Sequence, residues 1–282
     1  MATAPPTDFI TRNLADQRAE KQRDDERIAF LIALLLLHRR FDILIKSVYA
    51  EIQTNLTGLV DSEGKLTRLA LFNHFVGQRM QFLAGALLQD ADDGLRHAAI
   101  YGRDSAIRRY EKESGKQAEI TDDESAFVAL VVGLILQRGS HGYPLAASLA
   151  DVATGVGLDI QAAARRASIL GESATDAAKR IDEILLTGKN SFARRVESLA
   201  DTEANGAYNE AVKQEAPKLG VLIGFRWVLS AAHKDQGGKE VCEQFAGKVY
   251  HADDEAIALY PPHKNCQCRL IPVYDPKEFA NG

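Results

Sequence analysis

The sequence predicts a mainly α protein, with a helical N-terminal body followed by a small α+β C-terminal module. Three observations carry this reading. Apolar residues recur at helical spacing through most of the first 217 positions. Around Pro217 the texture changes to glycine, β-branched and aromatic residues. All three cysteines, Cys242, Cys266 and Cys268, fall after that change. The chain has 282 residues and 46% hydrophobic content, enough to bury a sizeable core. The predicted organisation is a charged N-terminal tail and helix over 1-27, a helical body over 28-217 and the module over 218-282.

Residues 1-7 read as a loose tail with two prolines and no apolar pattern. The stretch "RNLADQRAEKQRDDER" is dense in both charge signs and suits a solvated helix. It runs on into "IAFLIALLLL", residues 28-37, which predicts a buried helix ending near Thr57-Gly58. That run is too short for a bilayer core, which needs about 20 residues. "VDSEGKL" reads as a turn. Leu69, Val76, Met80, Leu83 and Leu87 then share one helical stripe, read as core. A break is expected at "DADDG", followed by a shorter helix carrying Ala99, Ile107 and Tyr110, and then a polar loop, "EKESGKQAEI".

Thr121 with Glu124 gives a capping-box signature. Behind it Phe127, Leu130, Val131, Leu134 and Ile135 recur as an amphipathic helix, closed by "QRGSHGYP". From 144 to 216 the chain is alanine-rich, with breaks expected at "TGVGLD", "LGES" and "TGKNS" and a stop at Pro217. Beyond it, "GVLIGFRWVLSA", "GKVYHA" and "CRLIPVY" read as strands of a small sheet, with Phe225, Trp227 and Leu229 alternating onto one face as core.

The opening "MATAPPTDFI" shows no basic start and apolar core of a signal peptide, so a reducing cytosol is expected around the thiols. The formal net charge of -5 does not suggest a basic nucleic-acid glove, and the last 65 residues are balanced in sign. No P-loop or dinucleotide fingerprint is present.

The three cysteines share the tail with His233, His251 and His263. A module this small has little core of its own, and metal is a better cytosolic staple than a disulfide. If residues 266-268 are extended, Cys266 and Cys268 project to one face, and Cys242 returns from "KEVCEQFAG" as a third sulfur. Either His263 or His233 would be the fourth ligand of a structural zinc ion. The alternative is that buried thiols simply pack the module. A catalytic zinc would need an open position and a carboxylate such as Asp235, Glu240 or Glu243. A Cys242–His251 nucleophile pair is a further option.

The run "FRWVLSAAHKDQGGKEVCEQFAGKVY…YPPHKNCQCRL" resembles the C-terminal signature of the phage Mu F-like minor head proteins, the phage head morphogenesis family. The matching positions are Trp227, His233, Cys242, Pro262, His263, Asn265, Cys266 and Cys268. Upstream, "DTEANGAYNEA", with Thr202, Glu203 and Asn209, resembles the helix leading into that domain. Lys264 stands where proline is usual and Gln267 where arginine is usual. Only Cys242 stands where many relatives carry a cysteine pair. The resemblance implies a non-enzymatic, low-copy structural protein of the viral head, present in the host cytoplasm during assembly. It implies contacts with the portal or the major capsid protein, and with packaged DNA. Rival readings are a metal-dependent nuclease or other effector delivered with the virion, and a host cytosolic adaptor.

Overall fold

The computed structural model describes residues 7–62, 66–139, 142–230, 242–258, 266, 268–275 and 277, with side chains described from residue 30 onward. The architecture is the predicted one, mainly helical with a small antiparallel sheet at the C-terminal end. Helix α1 (Thr7–Thr57) contains both the charged stretch and the apolar run. Phe30, Leu34, Leu37, Phe41, Ile45, Val48, Ile52 and Leu56 form its buried stripe. Only this face is buried. Leu31, Ile32, Leu35 and Leu36 point away from the core, so the expectation of a buried helix over "IAFLIALLLL" holds for one face only.

Helix α2 (Leu69–Ser114) buries Val76, Met80, Leu83 and Leu87 as expected, with Phe72 added and Leu69 only partly buried, but does not break at "DADDG". Gly94 is there for close packing, since a Cβ would lie 2.7 Å from Leu37 Cδ2. Around it, Asp92 pairs with Arg96 one turn on, and Arg40 of α1 reaches Asp93. Packing and pairing override the turn-like composition. The expected loop begins only at Gly115, the left-handed cap that closes α2.

Helix α3 (Glu124–Arg138) is capped by Asp123, whose carboxylate accepts from Ser125 N at 2.8 Å. The Thr121–Glu124 box does not form, because Glu124 is already the first helical residue and not the third. The buried stripe is Phe127, Val128, Val131, Val132 and Ile135, while Leu130 faces outward. Helix α4 (Leu145–Leu170) runs unbroken through "TGVGLD", where Gly157 lies against Met80 and Val156 and Ile160 are buried. Tertiary burial again outweighs glycine's low helix propensity. "LGES" separates α4 from α5 (Ala174–Asp182), and a π-helical turn over Glu183–Thr187 precedes the break at "TGKNS".

Helix α6 (Phe192–Leu219), capped by Ser191, is the axis of the molecule. It packs against α1, α2, α3, α4 and the sheet, and the consecutive residues from Thr202 to Asn209 are all buried. Pro217 does not stop it but sits in its last turn, where its missing N–H leaves the carbonyl one turn back without the usual helical donor. At the α2 crossing a Cβ on Gly102 would fall 2.1 Å from Tyr208 O, so this approach requires glycine.

Strands β1 (Leu222–Val228), β2 (Val249–Tyr250) and β3 (Arg269–Tyr274) form an antiparallel sheet in the order β2-β1-β3. A short helix, α7 (Glu255–Ala258), lies between β2 and β3 in the chain. Phe225 sits opposite Pro272, and Trp227 opposite Leu270, all facing inward. Pro272 is tolerated because β3 is an edge strand. The buried apolar residues of sheet and helices form one continuous cluster.

Helices α1 and α6 are also joined by His38 Nε2 and Asp201 Oδ1 at 2.8 Å. The hydrogen bond to Asp201 raises the His38 pKa above its ordinary value, against the opposing effect of burial. A raised histidine pKa adds stability that is complete below the unfolded value, about 6.5, and is lost as pH rises through the folded value. Denaturant titrations of the wild type and His38→Gln are expected to differ more near pH 6 than near pH 9. A pH-independent difference would exclude this linkage.

Candidate metal centre

Cys266 and Cys268 immediately precede β3 and share the register of its inward residues Leu270, Pro272 and Tyr274. Both are buried, as the alternation of an extended chain dictates. Cys242 opens a turn over 242–247 whose end is fixed to β1. Gly247 N donates to Trp227 O at 2.8 Å, and Trp227 N to Lys248 O at 3.1 Å. The turn also stacks Phe245 on Trp227, with ring centroids 4.8 Å apart. Trp227 therefore anchors the turn that carries Cys242, and its reading as core is correct.

The three sulfurs lie within 4.8 Å of one another, all on buried residues, and none is in a disulfide. Cys242 Sγ and Cys266 Sγ are 3.7 Å apart. Three thiols at this spacing could hold one metal ion.

Helix α6 fixes the cysteine strand through two buried asparagines one turn apart. Asn205 Nδ2 donates to Cys266 O at 2.7 Å and to Cys268 O at 3.1 Å. Asn209 Oδ1 accepts from Leu270 N at 2.8 Å, and Asn209 Nδ2 donates to Asn205 O at 2.7 Å. One side chain thus holds the carbonyls of both cysteines, which sets the spacing of their sulfurs. Outer contacts of this kind orient ligands at metal sites.

Without a cation the cluster disfavours thiolates. The contact with the Cys266 thiol, then Cys268 and burial, push the Cys242 thiol well above the ordinary range. For Cys266, the Cys242 contact lowers the pKa, but Cys268 and burial outweigh it and push it up to about 12. Such a cluster is a poor nucleophile, and a bound cation would reverse the balance. The Cys242–His251 pairing does not hold. His251 is exposed and paired with Asp253, while Cys242 is fully buried. Glu243 is exposed.

Of the residues expected from the sequence, the structure brings together Cys242, Cys266 and Cys268. His233, Pro262, His263, Asn265, Asp235 and Glu240 lie outside the described residues. Thr202, Glu203 and Asn209 are buried on α6. Asn205 was not singled out. Its signal was present in "EANGAYNEA", where two asparagines four apart punctuate an alanine-rich helix. Among the described residues no helix is long and apolar enough to cross a membrane.

No family model, curated protein or solved structure matches the chain.

The asparagine clamp has a testable consequence. Asn205→Asp replaces the donor with a carboxylate that repels the two cysteine carbonyls. A loss of about 1–3 kcal/mol is expected for each carbonyl left unpaired in the interior. Protease resistance of the 218-282 module should fall, while Asn205→Asp with wild-type resistance would show that the clamp is incidental.

Proposed function

We propose that this protein is a structural, non-enzymatic component of a bacteriophage head, a minor head protein acting in assembly at or near the portal vertex. We further propose that one zinc ion staples its C-terminal module. The observation that carries this reading is the convergence of Cys242, Cys266 and Cys268, with Trp227 anchoring the turn that carries Cys242, within the residue series that resembles the Mu F-like signature. A thiol-rich set favours zinc over hard cations. The 3.7 Å Cys242–Cys266 separation agrees with the ~3.8 Å edge of a tetrahedron with Zn–S bonds of ~2.3 Å. His263 or His233 would supply the fourth ligand. Burial of all three cysteines favours a closed structural site over an open catalytic one, which argues against the nuclease reading. The portal or the major capsid protein would be the partner, with packaged DNA within reach.

Two measurements test the two parts separately. Elemental analysis of protein purified without chelator is expected to give close to one zinc per chain, and a folded, metal-free module would remove the zinc. Heads purified from a host producing the phage should contain the protein at low copy. Its absence from heads would sink the assembly role whatever the metal content.

A further inference from the structure

The sulfurs of Cys242 and Cys266 are placed for a second kind of bond. They lie 3.7 Å apart, in direct contact, on buried residues far separated in the chain. A disulfide has an S–S length of about 2.05 Å, so closure needs an approach of about 1.7 Å. Rotation about the Cα–Cβ bonds moves a sulfur over that range.

Cys268 is the poorer partner for Cys266. The two lie two positions apart on one extended segment, where side chains of one face stand side by side and do not point at one another. Asn205 holds the carbonyls of both, at 2.7 and 3.1 Å, which resists puckering of that segment into a small ring. The segment before β3 is thus fixed by α6. The sulfur left to move is that of Cys242, on the turn over 242–247.

We propose that Cys242 and Cys266 are a two-electron redox pair, joined by a disulfide when a small oxidant such as hydrogen peroxide reaches the cluster. The same sulfurs then staple the module in two ways, through a cation when reduced and through each other when oxidised. The metal half rests on the zinc site proposed above, and the disulfide half on the sulfur geometry alone.

On zinc both sulfurs are thiolates. One attacks a peroxide oxygen, the O–O bond breaks and hydroxide leaves, giving a sulfenic acid. The other thiolate attacks that sulfur, the S–S bond forms, the S–O bond breaks and a second hydroxide leaves. Two electrons pass from the sulfurs to the peroxide, and the two hydroxides take up protons as water. Zinc loses two anionic ligands and dissociates. The bridge ties the turn after β1 to the segment before β3, the same parts that the metal joins, and stabilises by constraining the unfolded chain. A reducing cytosol keeps such a pair open, and an oxidising medium outside the cell closes it. A head protein passes from one to the other when particles are released, and a staple that outlasts the metal suits that passage.

The wild-type full chain carries the test, because replacing a cysteine is expected to destabilise the module itself. Zinc-loaded protein is treated overnight with a few-fold excess of hydrogen peroxide beside a chromogenic chelator, against a peroxide-free control. Free thiols are then alkylated and peptides mapped by mass without reduction. The expected result is release of the bound zinc, a Cys242–Cys266 disulfide with Cys268 outside it, and an unchanged circular dichroism spectrum. The oxidised, zinc-free protein is expected to outlast the reduced, zinc-free protein under protease by at least about tenfold. Dithiothreitol with added zinc should restore the starting state. Thiols that all stay free, a bridge to Cys268 instead, or an oxidised protein as protease-sensitive as the reduced, zinc-free one overturns the proposal and leaves the zinc and assembly readings standing. A Cys242–Cys266 bridge in protein that never held zinc upholds the redox pair and removes the zinc reading alone.

Discussion

Replacing Cys266 or Cys268 with serine is expected to unfold the 218-282 module while the helical body stays folded. If both sulfurs are zinc ligands, each replacement removes a thiolate from a closed site. The binding free energy that serves as folding free energy then falls with it. Structural zinc in small peptides contributes about 10 to 16 kcal/mol, so losing one ligand decides whether such a module folds. If the sulfurs only pack, each replacement costs roughly 1 to 3 kcal/mol and the module survives. Protease resistance with and without chelator separates the two cases. His263→Ala against His233→Ala identifies the fourth ligand, since only the true ligand reproduces the cysteine effect. A wild type indifferent to chelator ends the metal reading and leaves Cys242, Cys266 and Cys268 as a packed thiol cluster. The helical body shares a continuous core with the sheet, but it has extensive packing of its own, chiefly of α2 against α1, α4 and α6.

What was legible in the sequence followed from periodicity, and what was not followed from tertiary contact. The stripe of α2 and the three strands could be read because burial repeats every three to four residues on a helix and every two on a strand, whereas the unbroken apolar run of α1 hid which of its faces is buried. The sulfur cluster could be read for the same reason, because Cys266 and Cys268 share the parity of Leu270. The false breaks at "DADDG" and "TGVGLD" came from treating glycine as a turn signal. Gly94 and Gly157 admit neighbouring side chains inside continuous helices, a role that depends on Leu37 and Met80, far away in sequence. The α3 stripe was misjudged for a related reason. Val128 and Val132 are buried and Leu130 is not, because the direction of the core is set by α2 and α6. Asn205 was missed because its partners are backbone carbonyls more than sixty positions away.

The buried polar contact between α2 and α6 carries the second large effect. Arg103 and Glu215 are each almost fully buried, with Nε and Oε1 3.4 Å apart, an ion pair longer than a hydrogen bond. The guanidinium also donates to Asp122 O at 3.2 Å and lies 4.8 Å from the Phe127 ring centroid. Lys218, half exposed, reaches Glu215 at 3.6 Å and pairs with Asp122. The cluster therefore joins α2, the start of α3 and the end of α6, next to the point where the chain enters the sheet. Removing one member of a buried pair leaves a charge without compensation, at a cost of about 3–5 kcal/mol. Glu215→Ala leaves the buried Arg103 without its carboxylate, while Lys218 keeps Asp122, so stability should fall by an amount in that range. Replacing the pair by apolar residues of similar volume is often neutral, so Arg103→Met with Glu215→Leu is expected to recover most of the loss. Equal destabilisation of the double and single variants would show that the ion pair itself, and not the avoidance of a lone buried charge, holds α2 to α6. The thiol cluster should be unaffected in the double variant, because the cysteine strand is held by Asn205 and Asn209, nearer the middle of α6.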